Sequence, residues 1–278
     1  MVQCIYNIKE DKNMNRKRKK LMKLCAFLFM LFCGTFIFAN GNVKDVQAAS
    51  RMVMLYGNKT YTQYDFTGDG RKNRFKCTAD SERGYVRLYL NGSYKQRIFV
   101  AKGANLYWCG IDRKNVYLLA VCYQYGGHEL KVYKYSSGRF KAVPGKDQLN
   151  KVFMFSNFSK IQGDTLYVYS SQGSRNGGSF RNASGMIEAE TKFKLRNNKI
   201  SCISWNSRII GRRTFYAQNS FQTSASDRNL NIKNGPKVKA GQKVTLNYVK
   251  LGGNTYVYQI SVGGRKGWFK DSYSIQFR

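Results

Sequence analysis

The chain has 278 residues, enough for a principal domain and a lesser one, and carries 48 Lys+Arg against 15 Asp+Glu, a formal net charge of +33. Its one histidine, His128, excludes a two-histidine zinc centre and makes any cysteine–histidine pair depend on that single ring. So large a positive charge asks for an anionic partner or surface.

Residues 14–23 are basic (MNRKRKKLMK), residues 24–39 are apolar (LCAFLFMLFCGTFIFA), and a polar stretch leads to VQAAS, with small residues at Ala48 and Ala49. That order is the order of a secretory signal peptide. The sixteen apolar residues fall short of the roughly 20 that a spanning helix needs. Residues 1–49 are therefore expected to be a signal peptide, with Met14 as the better-placed initiator and no transmembrane segment left after cleavage. The protein is expected to be secreted, extracellular or cell-wall associated. From residue 50 on, 39 Lys+Arg face 12 Asp+Glu, a net +27. In a secreted protein the candidate anions are wall polymers, lipid headgroups, extracellular nucleic acid and polyanionic glycans.

From residue 51 the pattern has period two, rich in Tyr, Val, Ile and Phe and broken by Asn-Gly, Gly-Gly and Ser-Gly turns. The fold class is all-β, with an antiparallel sheet domain over residues 50–225 that is partial-propeller-like or a sandwich. The stretch YDFTGDGRKNRF, 64–75, spaces Asp65, Thr67 and Asp69 two apart. A twelve-position calcium loop begun at Asp65 would put Lys76 where a bidentate carboxylate belongs, which excludes that version. The stretch resembles the DxTGDGxxD loops of secreted bacterial proteins of the integrin-like repeat type, with Asn73 in place of the last Asp. That resemblance implies a ligand set of Asp65, Thr67, Asp69, the Arg71 carbonyl and Asn73. With two carboxylates and three nearby cations, the choice is between weak calcium binding and a plain turn; no other cofactor is expected.

Strands are expected at 115–125 and in the hairpin 130–143, turned at Ser137-Gly138, then at 164–170 and in a longer hairpin from Gly185 to Ile203, turned at Asn197-Asn198. The echo suggests two or three related sheet units of about fifty to sixty residues. Cys77, Cys109, Cys122 and Cys202 each fall in a strand-like run, where two disulfides or four buried thiols are equally ordinary. Catalytic groups are sparse. GGHEL lacks a second histidine four residues on, a Cys122–His128 dyad would need both to leave one hairpin, and Glu188 and Glu190 share a strand face with Lys192 and Lys194. No catalytic residue is assigned.

After the polar passage AQNSFQTSASDRN, 217–229, come LNIKNGP (230–236), KAGQKV (239–244) and Lys266-Gly267-Trp268. These phrases, in this order over residues 227–278, resemble the bacterial-type Src-homology-three-like domain, although the segment between Pro236 and Gly241 is shorter than usual there. The resemblance implies a small β-barrel over 226–278 that serves as a wall-binding module directed to peptidoglycan or an attached anionic polymer. Residues 229–278 hold nine Lys+Arg and one Asp, which suits a phosphate-rich polymer. Tyr248, Tyr256, Lys266, Trp268 and Lys270 are the candidate ligand contacts, with barrel core the alternative for Trp268. The expected function is that of a secreted, strongly basic, non-enzymatic binder of the cell wall or another anionic envelope polymer. A wall- or glycan-acting hydrolase and a charge-driven binder of extracellular nucleic acid or polyanionic glycan are the alternatives. Nucleic acid is not the expected partner, because no aromatic-plus-basic module with a recognisable code is present.

Overall fold

The computed structural model describes residues 50–80, 82–173, 178–180, 183, 186–211 and 213–278; the expected signal peptide lies outside them. Strand β1 (Arg51–Leu55) precedes three antiparallel meanders. The first comprises β2 (Thr60–Tyr61), β3 (Phe75–Asp80), β4 (Tyr85–Leu90) and β5 (Ser93–Phe99). The second comprises β6 (Gly103–Gly110), β7 (Val116–Gln124), β8 (Gly127–Ser136) and β9 (Arg139–Ala142), with β1 paired to β6, and is followed by the short helix α1 (Lys146–Leu149). The third comprises β10 (Phe155–Gln162), β11 (Thr165–Gly173), β12 (Met186–Arg196) and β13 (Lys199–Ile210). The remaining strands are β14 (Thr214–Tyr216), β15 (Phe221–Gln222), β16 (Lys237–Val238), β17 (Lys243–Lys250), β18 (Val257–Val262) and β19 (Arg265–Lys270). The fold is all-β and antiparallel. Among the described residues no helix is long and apolar enough to cross a membrane.

Turn chemistry sets the hairpins. Asn197 and Asn198 both take positive φ, 52° and 55°, the requirement of a two-residue turn whose twist matches its strands. The β12–β13 register from Arg196↔Lys199 to Phe193↔Cys202 follows from that turn. On β12 the alternation buries Ile187, Ala189, Thr191, Phe193 and Leu195 and turns Glu188, Glu190, Lys192, Lys194 and Arg196 to the other face.

β7 departs from alternation, with every residue from Val116 to Cys122 buried, because its sheet is the middle of three layers. Leu118, Ala120 and Cys122 pack with Phe75, Leu88 and Ile98 of the first meander. Tyr117, Leu119 and Val121 face Phe158, Leu166 and Val168 of the third. A strand covered on both faces reads as a continuous apolar run, even in an antiparallel sheet.

The C-terminal strands do not stand apart. β17 pairs with β13 through Asn206↔Lys250, Ser207↔Val249 and Arg208↔Tyr248, so β17–β18–β19 extend the third sheet to eight strands, β14 included. The expected barrel is thereby corrected: no closed barrel forms among the described residues. The polar passage before 230 runs back along the meander. β14 pairs with β17, Ala217 bridges Phe277, β15 pairs with β16, and Ser224 makes a single bridge to Trp268. Its polarity serves internal hydrogen bonds: Thr223 and Ser224 are buried, and the Thr223 hydroxyl donates to the Pro236 carbonyl at 2.7 Å. One core spans the 225/226 boundary, with Phe180 stacked on Phe277 at 4.9 Å and edge-on to Phe215 and Tyr258.

Candidate functional site

Strand register places four of the five candidate contacts on one face of the C-terminal meander. Tyr248 of β17 lies opposite Gln259 of β18, and Gln259 opposite Trp268 of β19; Ser261 faces Lys266, and Val257 faces Lys270. A bulge at Asn247, whose amide donates to the Ser261 hydroxyl at 2.7 Å, keeps Thr245 and Tyr248 on that face. Tyr256 belongs to the opposite face with Tyr258 and Ile260. Its ring meets Phe153 edge-on at 4.9 Å, and burial raises its phenol pKa, with Asp271 adding to the effect. Tyr256 is thus a packing residue, and its assignment to the ligand surface is corrected. Trp268 shares the face of Lys266 and Lys270 but is only 8% exposed, so it offers no open platform.

The exposed members are Tyr248, Lys266 and Lys270, beside Arg265. Among the described residues no ion pair joins Asp271 to them; its carboxylate accepts from the Ser179 N–H at 2.7 Å. Among the described residues, Lys250 is the one cation of 229–278 in an ion pair, with Asp227 at 2.9 Å. Arg208, which β13 brings directly opposite Tyr248, extends the row. No local pattern signals Arg208, because its place depends on a pairing between strands forty residues apart.

The loop 65–73 is closed on its own donors. Asp65 Oδ1 accepts from the Thr67 N–H, the Thr67 hydroxyl and the Gly68 N–H, and Oδ2 accepts from the Gly70 N–H at 2.7 Å. Asn73 Oδ1 accepts from the Phe66 N–H at 2.6 Å. The Arg71 N–H, followed by the Thr67 hydroxyl, holds the Asp69 carboxyl below its usual range. Asp65, Thr67, Asp69, Arg71 and Asn73 do come together, and both Asp65 oxygens, Asn73 Oδ1 and one Asp69 oxygen already accept hydrogen bonds within the turn. The loop also seats Trp108, whose indole N–H donates to the Asp65 carbonyl at 2.6 Å while its ring stacks on Tyr64 at 4.8 Å.

Cys122 and His128 lie on opposite faces of the second sheet. His128 pairs across the ladder with Tyr123, not Cys122, and its Nδ1 lies 2.8 Å from the Ser156 carbonyl. Cys122 is fully buried in the layer toward the first meander, and burial pushes its thiol up to about 11. Burial likewise raises Cys77 and Cys202 to about 11 and Cys109 to about 12, and all four thiols are unpaired in the structure. Glu188 and Glu190 share a face as expected, but Glu188 accepts from the Tyr169 hydroxyl at 2.6 Å, and Glu190 lies in the ladder between Tyr169 and Arg208. Burial, then this bond to Glu188, pushes the Tyr169 phenol up to about 12.

No family model, no curated protein and no solved structure matches the chain.

Proposed function

We propose that this protein is a secreted, strongly basic, non-enzymatic binder of the bacterial cell wall or another anionic envelope polymer, and that it binds through the outer face of its C-terminal meander. The observation that carries the reading is the uncompensated charge there. Residues 229–278 have nine Lys+Arg and one Asp, that Asp forms no ion pair with them among the described residues, and Lys266 and Lys270 flank a buried indole beside the exposed Tyr248. Such a face attracts a polyanion by field and counterion release, and Tyr248 gives it an apolar contact. The opposed orientation of Cys122 and His128 and the engagement of Glu188 favour a binding role over hydrolysis.

The test is co-sedimentation of the full chain with purified Gram-positive sacculi, before and after stripping their anionic polymers, at low and high salt. Binding to unstripped walls that falls steeply with salt and vanishes on stripping is expected for a polymer-directed protein. Equal, salt-resistant binding to stripped walls would instead make peptidoglycan the ligand. No binding to either would contradict the reading. The full chain is required, because cutting at 226 would strip β17 of both β13 and β14.

A further inference from the structure

The first and second sheets end side by side. β5 and β9 are the last strands of their meanders, each paired on one side only. Phe140 of β9 enters the core of the first layer, edge-on to Phe75 at 6.1 Å, and Ile98 of β5 joins the same core. The two edges are thereby held together, and an open groove of about 570 Å³ runs between them. Lys95 and Arg97 line one wall and Arg139 and Lys141 the other, with the 55% exposed Tyr94 beside them and no carboxylate in the lining.

Three features set this groove apart from a solvated edge. Arg97 lies opposite Arg87 and Lys141 opposite Lys134, like-charge pairs that cost stability. Arg87 has Asp80 at 2.7 Å, whereas no ion pair among the described residues involves any of the four groove cations. Arg97 is instead held over the Tyr85 ring at 4.5 Å, and the Lys141 ammonium donates to the Ser137 hydroxyl at 3.2 Å. A bulge in β5 leaves Lys95 as an extra residue on the edge, a device that re-aims a side chain. A single charge suffices to discourage edge pairing; here each of the two strands contributes two cations to the lining of one open groove.

We propose that this groove is a second binding site, independent of the C-terminal face, for a linear phosphodiester polymer of simple polyol units. Cations on both strands along the groove suit phosphates repeated along a chain, and the two arginines supply planar forks for their oxygens. Tyr94 is the groove's one exposed ring, so there is no succession of platforms on which bases could stack.

The test measures affinity for soluble poly(glycerol phosphate) in three full-chain variants, each losing four positive charges. The groove variant carries Lys95→Gln, Arg97→Gln, Arg139→Gln and Lys141→Gln. A second replaces Lys243, Arg265, Lys266 and Lys270 by Gln, and a third replaces Lys160, Lys192, Arg196 and Lys199 on the third sheet. The groove variant is expected to lose about tenfold or more in affinity, and the third-sheet variant less than about threefold. Equal losses in those two would reduce the groove to net charge and overturn the proposal. The second variant reports separately on the C-terminal segment, so either site can fail without the other. Lysine acetylation of the wild-type protein gives a readout that no substitution can perturb: the polymer should protect Lys95 and Lys141 while Lys199 still reacts, and uniform protection would overturn the site. Tighter binding of single-stranded DNA or polyglucuronate of matched charge would overturn the ligand class.

Discussion

β7 and β19 both carry aromatic side chains, yet β7 keeps Val116 through Cys122 out of water while β19 leaves Arg265, Lys266 and Lys270 in it. The difference lies in what covers them. β7 has a packed layer on each face; β19 sends Phe269 into the core and keeps its lysines on the other side. The middle sheet should therefore govern stability and the outer face affinity, and perturbations should separate the two.

Alkali should give the largest effect. Burial raises Cys109 and Tyr117 to about 12 and Cys77 and Cys122 to about 11, and Tyr133 higher still. These groups stay protonated in the folded chain where the unfolded chain already releases their protons. Their stabilisation is thus complete below about pH 9 and is lost as pH rises through roughly 11 to 12. Urea midpoints measured from pH 7 to 11 should be flat at first and then fall; a flat profile to pH 11 would break the buried side of the comparison.

Next comes Leu119→Ala, at a fully buried position of β7, which should cost about 2–5 kcal/mol in urea unfolding. A cost under about 1 kcal/mol would mean that the strand lacks one of its two covering layers. Asp65→Ala removes the acceptor of four hydrogen bonds and should cost about 1–3 kcal/mol. If the loop is only a turn, wild-type melting should not move with millimolar calcium; an upward shift abolished in Asp65→Ala would establish the metal site. The smallest effect on stability is expected from Lys266→Gln with Lys270→Gln, within about 0.5 kcal/mol of wild type.

Much of the fold could be read from local pattern. The alternation of Ile187 to Leu195 and the turns at Ser137-Gly138, Asn197-Asn198 and Gly263-Gly264 are local features, and each forms as its residues dictate. What failed depends on long-range pairing. The polar passage 217–229 carries no hydrophobic pattern, yet Thr223 and Ser224 are buried there, with their hydroxyls donating to the carbonyls of Pro236 and Asn229. A small barrel at 226–278 was expected because its phrases all lie between Leu230 and Trp268, while the pairing of β17 with β13 is invisible to any window of sequence. The same limit applies to the site. Tyr256 looked like Tyr248 in sequence, and the bulge at Asn247 together with the parity of β18 decided which ring faces out. The groove cations form two short alternations, KQR and RFK, that mean nothing until β5 and β9 lie side by side.

The most direct test of the account is the affinity of the Lys266→Gln/Lys270→Gln protein for unstripped sacculi, measured beside wild type at one ionic strength. We expect a severalfold loss with the melting temperature unchanged, larger than the loss from removing two exposed lysines of the third sheet, Lys192 and Lys199. Equal losses in the two double variants would contradict the claim that the C-terminal face is the wall-binding surface.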